Sequence, residues 1–182
     1  MMPSNNKHRI AICGKSRAGK DLVASKLREM FQARGNTVVT HAFADGIKDI
    51  YKQHFYKVHT NSKPRDAYIA IGETFRSIYP NVWVDKLKAR VEQSYQWDVQ
   101  IITDLRRLNE EEYLREAGFT IVYVYAPDDI RIARAASLGE ILEVDNDGDA
   151  EVDKIKYDIK VDSSKPLTSE EISQLYNELV GE

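Results

Sequence analysis

The sequence predicts an α/β fold: helices on both faces of a mostly parallel, five-stranded sheet. Three observations carry this. Short apolar runs of strand length recur along the 182 residues. Segments with helical spacing of apolar residues separate them, and such alternation builds parallel sheets. The first apolar run passes through a glycine-rich turn into the first helical pattern.

In chain order, the strand-like runs are 9–13, 37–43, 99–103, 120–125 and 157–161. After the first, Val23, Leu27, Met30 and Phe31 follow a helical period. Tyr68, Ile71, Phe75 and Ile78 are spaced for one helix face, as are Val84, Leu87, Val91 and Tyr95. Ile172, Leu175 and Leu179 mark a last helix. Asn109 with Glu112, and Thr168 with Glu171, read as capping boxes. Residues 44–97 hold helical patterns and no strand, so they read as an insertion into a core formed by 7–43 and 98–182. Residues 137–153 are acidic and glycine-bearing and read as a mobile, solvated loop, within a lid region expected over 131–153. The series Asp145, Asp147, Asp149 lacks the glycine and glutamate positions of an EF-hand, which argues against a calcium loop.

Composition sets outer limits. A net charge of −3 does not suggest a nucleic-acid-binding surface. The single Cys13 forms no disulfide within the chain; it fits a reducing compartment and reads as a small core residue on the first strand. His8, His41, His54 and His59 show no zinc spacing. No apolar run is long enough to span a membrane, and the N-terminus lacks a signal-peptide core, so the expectation is a cytoplasmic protein with no membrane partner. A homodimer is compatible with the sequence.

The segment most specific in chemistry is Gly14-Lys15-Ser16-Arg17-Ala18-Gly19-Lys20-Asp21-Leu22. Its G-x-x-x-x-G-K spacing, between strand and helix, is that of a P-loop, and it narrows the fold to the three-layer P-loop NTPase class. Backbone N–H groups in such a loop curl around phosphate oxygens, the following helix directs its positive end at the same anion, and Lys20 reaches the β- and γ-phosphates. Asp21 stands where a Ser or Thr usually meets the metal.

Ligands of such sheets bind at the carboxyl ends of the strands. The third strand leads into Asp104, read either as a Mg²⁺-side acid or as a capping residue. Arg106 and Arg107 follow, and guanidinium forks match phosphate oxygens two at a time. After the second strand, Asp45 can accept hydrogen bonds from a sugar or base and Lys48 can neutralise a phosphate, or Asp45 simply caps a helix. Arg131 and Arg134, three apart, share a helix face; they clamp triphosphate oxygens on closure or are ordinary surface charges.

Together these segments resemble the deoxynucleoside monophosphate kinases of bacteriophages and related bacterial genes. The resemblance rests on Gly19-Lys20-Asp21, on Asp45-Gly46-Ile47-Lys48 (with Gly46 where relatives have proline), on 71–76 followed by Pro80-Asn81-Val82-Trp83-Val84, and on Asp104-Leu105-Arg106 followed by acidic residues. It spans most of 8–165 and implies ATP- and Mg²⁺-dependent phosphoryl transfer to a nucleoside monophosphate, in a bacterial or phage-infected cytosol. It further implies that Asp45, Lys48, Arg65, Arg76 and Trp83 line an acceptor site in the insertion; Trp83 is equally readable as core there. Two departures lie on the ATP side: Ala126-Pro127 where relatives have Arg-Pro, and Val161-Asp162-Ser163 where they have Asn-x-Gly. They leave Arg131 or Arg134 to replace the missing arginine, and backbone around Asp162–Lys165, with Asp162 and Ser163 at its start, to hold adenine. The Gly-Lys-Asp loop and 104–107 are also similar to animal-type phosphomevalonate kinases, a second kinase reading. A nucleotide-binding switch without an acceptor is a third.

Overall fold

In the computed structural model, residues 8–58, 64–144 and 147–181 are described. His59 and Asp145 therefore lie outside the described residues. Five parallel strands, β1 (His8–Cys13), β2 (Val38–His41), β3 (Val99–Leu105), β4 (Thr120–Tyr125) and β5 (Ile159–Asp162), form one sheet in the order β2-β3-β1-β4-β5. Helices α1 (Lys20–Ala33), α2 (Ala44–His54), α3 (Arg65–Ile78), α4 (Val82–Gln93), α5 (Leu108–Glu116), α6 (Asp128–Ala136) and α7 (Ser169–Val180) complete the three layers. Among the described residues, no helix is long and apolar enough to cross a membrane.

The period-2 geometry of the strands sorts the core into two faces. Ile10 and Ile12 of β1, with Val99, Ile101, Val122 and Val124, meet Val23, Leu27 and Phe31 of α1 and Leu175 and Tyr176 of α7. Ala11 and Cys13 point the other way, toward Ile47 of α2, Trp83, Leu87 and Val91 of α4, and Leu114 of α5. Cys13 is fully buried, and its thiol is pushed up to about 12, chiefly by that burial.

Several boundaries differ from expectation. Phe43 does not end β2; it has helical backbone and begins the turn into α2, with its side chain in the core. β3 runs on to Leu105, so Asp104 is a strand residue. The start of α5 lies two residues before the Asn109 box: Glu110, not Glu112, turns back to accept the amides of Arg106 at 2.9 Å and Arg107 at 3.1 Å. The Thr168–Glu171 box is present in both directions. On α3, Tyr68 and Ile71 pack inward, but Phe75 and Ile78 are exposed, and Tyr95 lies beyond α4 and faces solvent. α3 packs on α2 and α4 rather than on the sheet, so only part of its apolar stripe is covered.

Within the 44–97 insertion the described residues hold three helices, α2, α3 and α4, and no strand. Trp83 is its centre rather than a base-stacking surface. It is 1% exposed, donates its Nε1–H to the Gly72 carbonyl at 3.2 Å, and lies against Phe75 with ring centroids 5.5 Å apart. A Cβ on Gly46 would meet the Trp83 ring at 3.0 Å, which explains why α2 can pack this closely on α4. The 137–153 segment contains two short 3-10 turns, Asp147–Asp149 and Val152–Lys154, and Asp149 and Val152 are buried. It is a packed strap over the strand ends, not a solvated loop along its whole length.

Candidate active site

The β1–α1 turn has the backbone its glycines require. Gly14 has φ +145°, and a Cβ there would stand 2.3 Å from the Val124 carbonyl oxygen. Gly19 has φ +99° and Arg17 φ 63°, so the chain reverses sharply before α1. Lys20, at the first position of α1, is 8% exposed and donates to the carbonyls of Gly14 at 2.7 Å and Lys15 at 2.9 Å. Burial, with Arg106 adding to it, lowers its ammonium to about 8. Asp21 and Leu22 are exposed on the outer side of the first turn.

Two arginines of α6 brace this loop from behind. Arg131, fully buried, donates to the Ser16 carbonyl at 3.0 Å and pairs with Asp128 at 2.7 Å. Arg134 donates to the carbonyls of Arg17 and Ala18, each at 3.2 Å, and to the Ser163 carbonyl. The Ser163 hydroxyl donates to the Ala18 carbonyl as well. Asp162 is turned to its own loop, accepting the Ser164 amide at 2.8 Å. Both arginines thus contact loop carbonyls, the side of the peptide opposite to its N–H groups.

Asp104 joins the core to the insertion. Its carboxylate oxygens accept the amides of Phe43 at 2.8 Å and Ala44 at 3.0 Å, fixing the start of α2. Burial raises its carboxyl above the ordinary range. Glu110, behind it, is pushed up to about 7 by burial and by Asp104. Asp45 is the second residue of α2 rather than its N-cap; from the first turn it accepts the Ala42 amide at 2.9 Å and pairs with Lys48 at 3.0 Å.

The remaining arginines meet between insertion and core. Arg76 of α3 and Arg107, ahead of α5, both donate to Oε1 of Glu73, each at 2.7 Å. They border a cavity of about 470 Å³ also lined by Ser77, Pro80, Asn81, Asn109 and Glu151. The Asn109 amide donates to the Asn81 side chain at 2.9 Å. Arg65 lies apart from this cavity and pairs with Glu140 at 2.7 Å, as Arg17 also does. The sequence reading missed the acids here: Glu73, Glu110, Glu140, Asp149 and Glu151. Glu73 stands within the 71–76 segment, Glu110 in the acidic run after Arg107 and Asp149 in the aspartate series, but none of them was read as a site residue.

Among the described residues no cluster of three or more His, Cys, Asp or Glu side chains is arranged to hold a metal. Mg²⁺ in phosphoryl-transfer sites is held largely by substrate phosphates and water with one or two carboxylates. Asp21 and Asp104 are hard oxygen donors whose charges act on Lys20 beside the loop. Both oxygens of Asp104 already accept backbone amides and Asp21 is exposed, so these two aspartates fit an ion reached through water rather than a closed protein cage.

Comparison with solved structures gives the same architecture. Shikimate kinase from Acinetobacter baumannii superposes with a TM-score of 0.60 at 13% identity, over 97% of this chain and 95% of that one. Shikimate kinase from Bacteroides thetaiotaomicron gives 0.54 at 14%, over 96% and 99%. TT1252 from Thermus thermophilus gives 0.55 at 14%, over 97% of both. At these identities the likeness is one of fold. No curated protein sequence matches the chain. The family model for phosphomevalonate kinase matches residues 12–120, from the end of β1 through the loop, the insertion, β3 and α5 to the start of β4. That match covers more than half of the sequence and contains the phosphate loop and both convergent arginines, and on it the chain belongs to the phosphomevalonate kinase family of P-loop small-molecule kinases.

Proposed function

We propose that the protein transfers the γ-phosphoryl group of ATP to the phosphate of a nucleoside 5′-monophosphate, giving the diphosphate. The observation that carries this is the convergence of Arg76 and Arg107, one from the insertion and one from the core, on a single oxygen of Glu73. Two guanidinium groups that share one anionic oxygen at a cavity mouth suit a phosphate monoester. The other polar groups lining the cavity favour a base. Asn81 and Asn109 offer both donors and acceptors, while Glu73 and Glu151 disfavour a carboxylate on the acceptor besides its phosphate.

A phosphate acceptor is already an anionic nucleophile, so no general base is required. The protein's task is to hold two anions in line and offset their repulsion. Lys20 and the loop amides hold the donor phosphates. Arg106 and Arg107 lie between donor and acceptor and offset charge there, while Arg131 and Arg134 keep the loop in its curled form. Asp21, and Asp104 through water, would hold Mg²⁺, which would supply charge neutralisation to the donor phosphates. Asp45 and Lys48 orient the helix that leads into the acceptor arm.

A second reading has phosphomevalonate as acceptor, favoured by the family match. It uses the same phosphate chemistry and differs only in what fills the cavity. A coupled ADP-release assay with Mg-ATP separates the two. We expect stimulation by one or a few deoxy- or ribonucleoside monophosphates, abolished in a folded Lys20→Met variant. Stimulation by phosphomevalonate alone establishes the second reading. Lys20-dependent ATP binding with no stimulation by any acceptor refutes both and leaves a nucleotide-binding switch.

A further inference from the structure

The strap that crosses the phosphate loop carries a carboxylate into it. Asp149 is 3% exposed, and its Oδ2 accepts the backbone amide of Ser16 at 2.7 Å. Its Oδ1 lies 3.4 Å from the Ser16 hydroxyl and 3.3 Å from Nη1 of Arg106. Nη1 of Arg131 is 3.8 Å from Oδ2. A loop amide, a hydroxyl and the Arg106 guanidinium are the donors a phosphate oxygen would recruit in a P-loop. A carboxylate held by that set occupies an anion position.

The neighbouring acids of the same segment act alike. Asp153 pairs with Lys15 at 2.7 Å, Glu140 with Arg17, and Glu151 with Arg107 at 3.7 Å. Each takes a cation of the loop or of the acceptor side, so the strap is complementary in charge to the groups that face phosphate.

We propose that Asp149 is a built-in anion that holds the phosphate position of the P-loop and that the donor triphosphate displaces it, freeing Arg106 for the acceptor in the same step. This rests on the reading of 14–20 as the donor site. Binding then couples the two substrates: before the triphosphate enters, Arg106 is engaged with the strap, and afterwards it is available to the acceptor phosphate. A competing internal anion lowers apparent donor affinity in proportion to the time it occupies the site.

The test is titration calorimetry of the wild type, Asp149→Asn and Asp149→Ala with Mg²⁺ and the non-hydrolysable ATP analogue AMP-PNP, with Lys20→Met alongside. Loss of the competing charge is expected to tighten binding about tenfold in both Asp149 variants. Hydrogen exchange on the wild type supplies a readout that needs no variant at Asp149. AMP-PNP is expected to protect 14–20 and to speed exchange over 147–153. Unchanged or weaker binding in the Asp149 variants, or protection of 147–153, overturns the proposal. If that comes with binding that Lys20→Met weakens, the donor site stands and only Asp149's role falls. If the wild type does not bind AMP-PNP, or Lys20→Met binds it equally well, the donor-site reading falls and the proposal with it.

Discussion

Lys20 offers a measurement in which the electrostatics of the loop are read directly as protons. Its Nζ is buried against two carbonyl oxygens, and loss of hydration lowers its ammonium from 10.5 to about 8. A triphosphate placed beside it favours the charged form and restores the ordinary value or more. Near pH 8, about half of the free protein then carries a neutral Lys20, and near pH 9 about nine-tenths does. Binding of Mg-AMP-PNP must therefore take up about half a proton near pH 8 and about 0.9 near pH 9, against almost none near pH 6.5. Affinity should fall by up to about tenfold per pH unit above about pH 8. The assay is calorimetry in buffers of different ionisation enthalpy, whose slope gives the proton count. Lys20→Met must abolish the uptake. The same depression has a sign for folding: between about 8 and 10.5 the unfolded chain holds more protons than the folded one, so this group makes stability rise with pH across that window. Wild-type uptake near zero at pH 9, or uptake that persists in Lys20→Met, refutes the reasoning that the lysine is desolvated and serves the anion.

Arg107→Lys and Arg76→Lys each replace a planar fork with a point charge, and are expected to raise acceptor KM by about ten- to a hundredfold with donor affinity unchanged; steady-state kinetics at saturating ATP checks this. Trp83→Phe removes the indole hydrogen bond to the Gly72 carbonyl and opens a small cavity, with an expected cost of about 1–2 kcal/mol in urea unfolding followed through Trp97. Full stability with a raised acceptor KM would instead put that ring in the binding site. Glu110, whose carboxyl titrates at about 7 in the folded protein against 4.5 unfolded, contributes stability that is complete below about 4.5 and lost as pH rises through about 7, at up to about 1.4 kcal/mol per pH unit. Glu110→Gln should flatten that part of the stability–pH curve, read from thermal melts.

The sheet was legible because its central strands are largely buried and read as short apolar runs, and because a glycine–lysine loop fixes where the first one ends. β4 was found to the residue for this reason. The misplaced ends have local causes. Phe43 looks like strand from its apolar side chain, yet the amides of 43 and 44 are drawn to Asp104, sixty residues away, and the chain turns there. The Asn109–Glu112 spacing matched a capping box, but Glu110 satisfies the amides of 106 and 107 first, so the helix begins earlier. Trp83 was open between base and core on sequence; the missing side chain at Gly46 and the carbonyl of Gly72 decide for core, and neither residue signals that by itself.

The arginines show a sharper limit of spacing arguments. Six positions suited phosphate equally well by type: Arg65, Arg76, Arg106, Arg107, Arg131 and Arg134. What separates them is which end of the peptide dipole each one meets. Arg131 and Arg134 donate to carbonyls of the loop and so orient its N–H groups outward, a task that needs a permanent cation and no contact with substrate. Arg76, Arg106 and Arg107 donate to carboxylates that a phosphate can replace. An exchangeable anion and a fixed carbonyl make opposite demands on a guanidinium. Substitution at 131 or 134 should therefore loosen the loop and lower donor affinity together with stability, whereas substitution at 76 or 107 should leave the fold and the donor site intact.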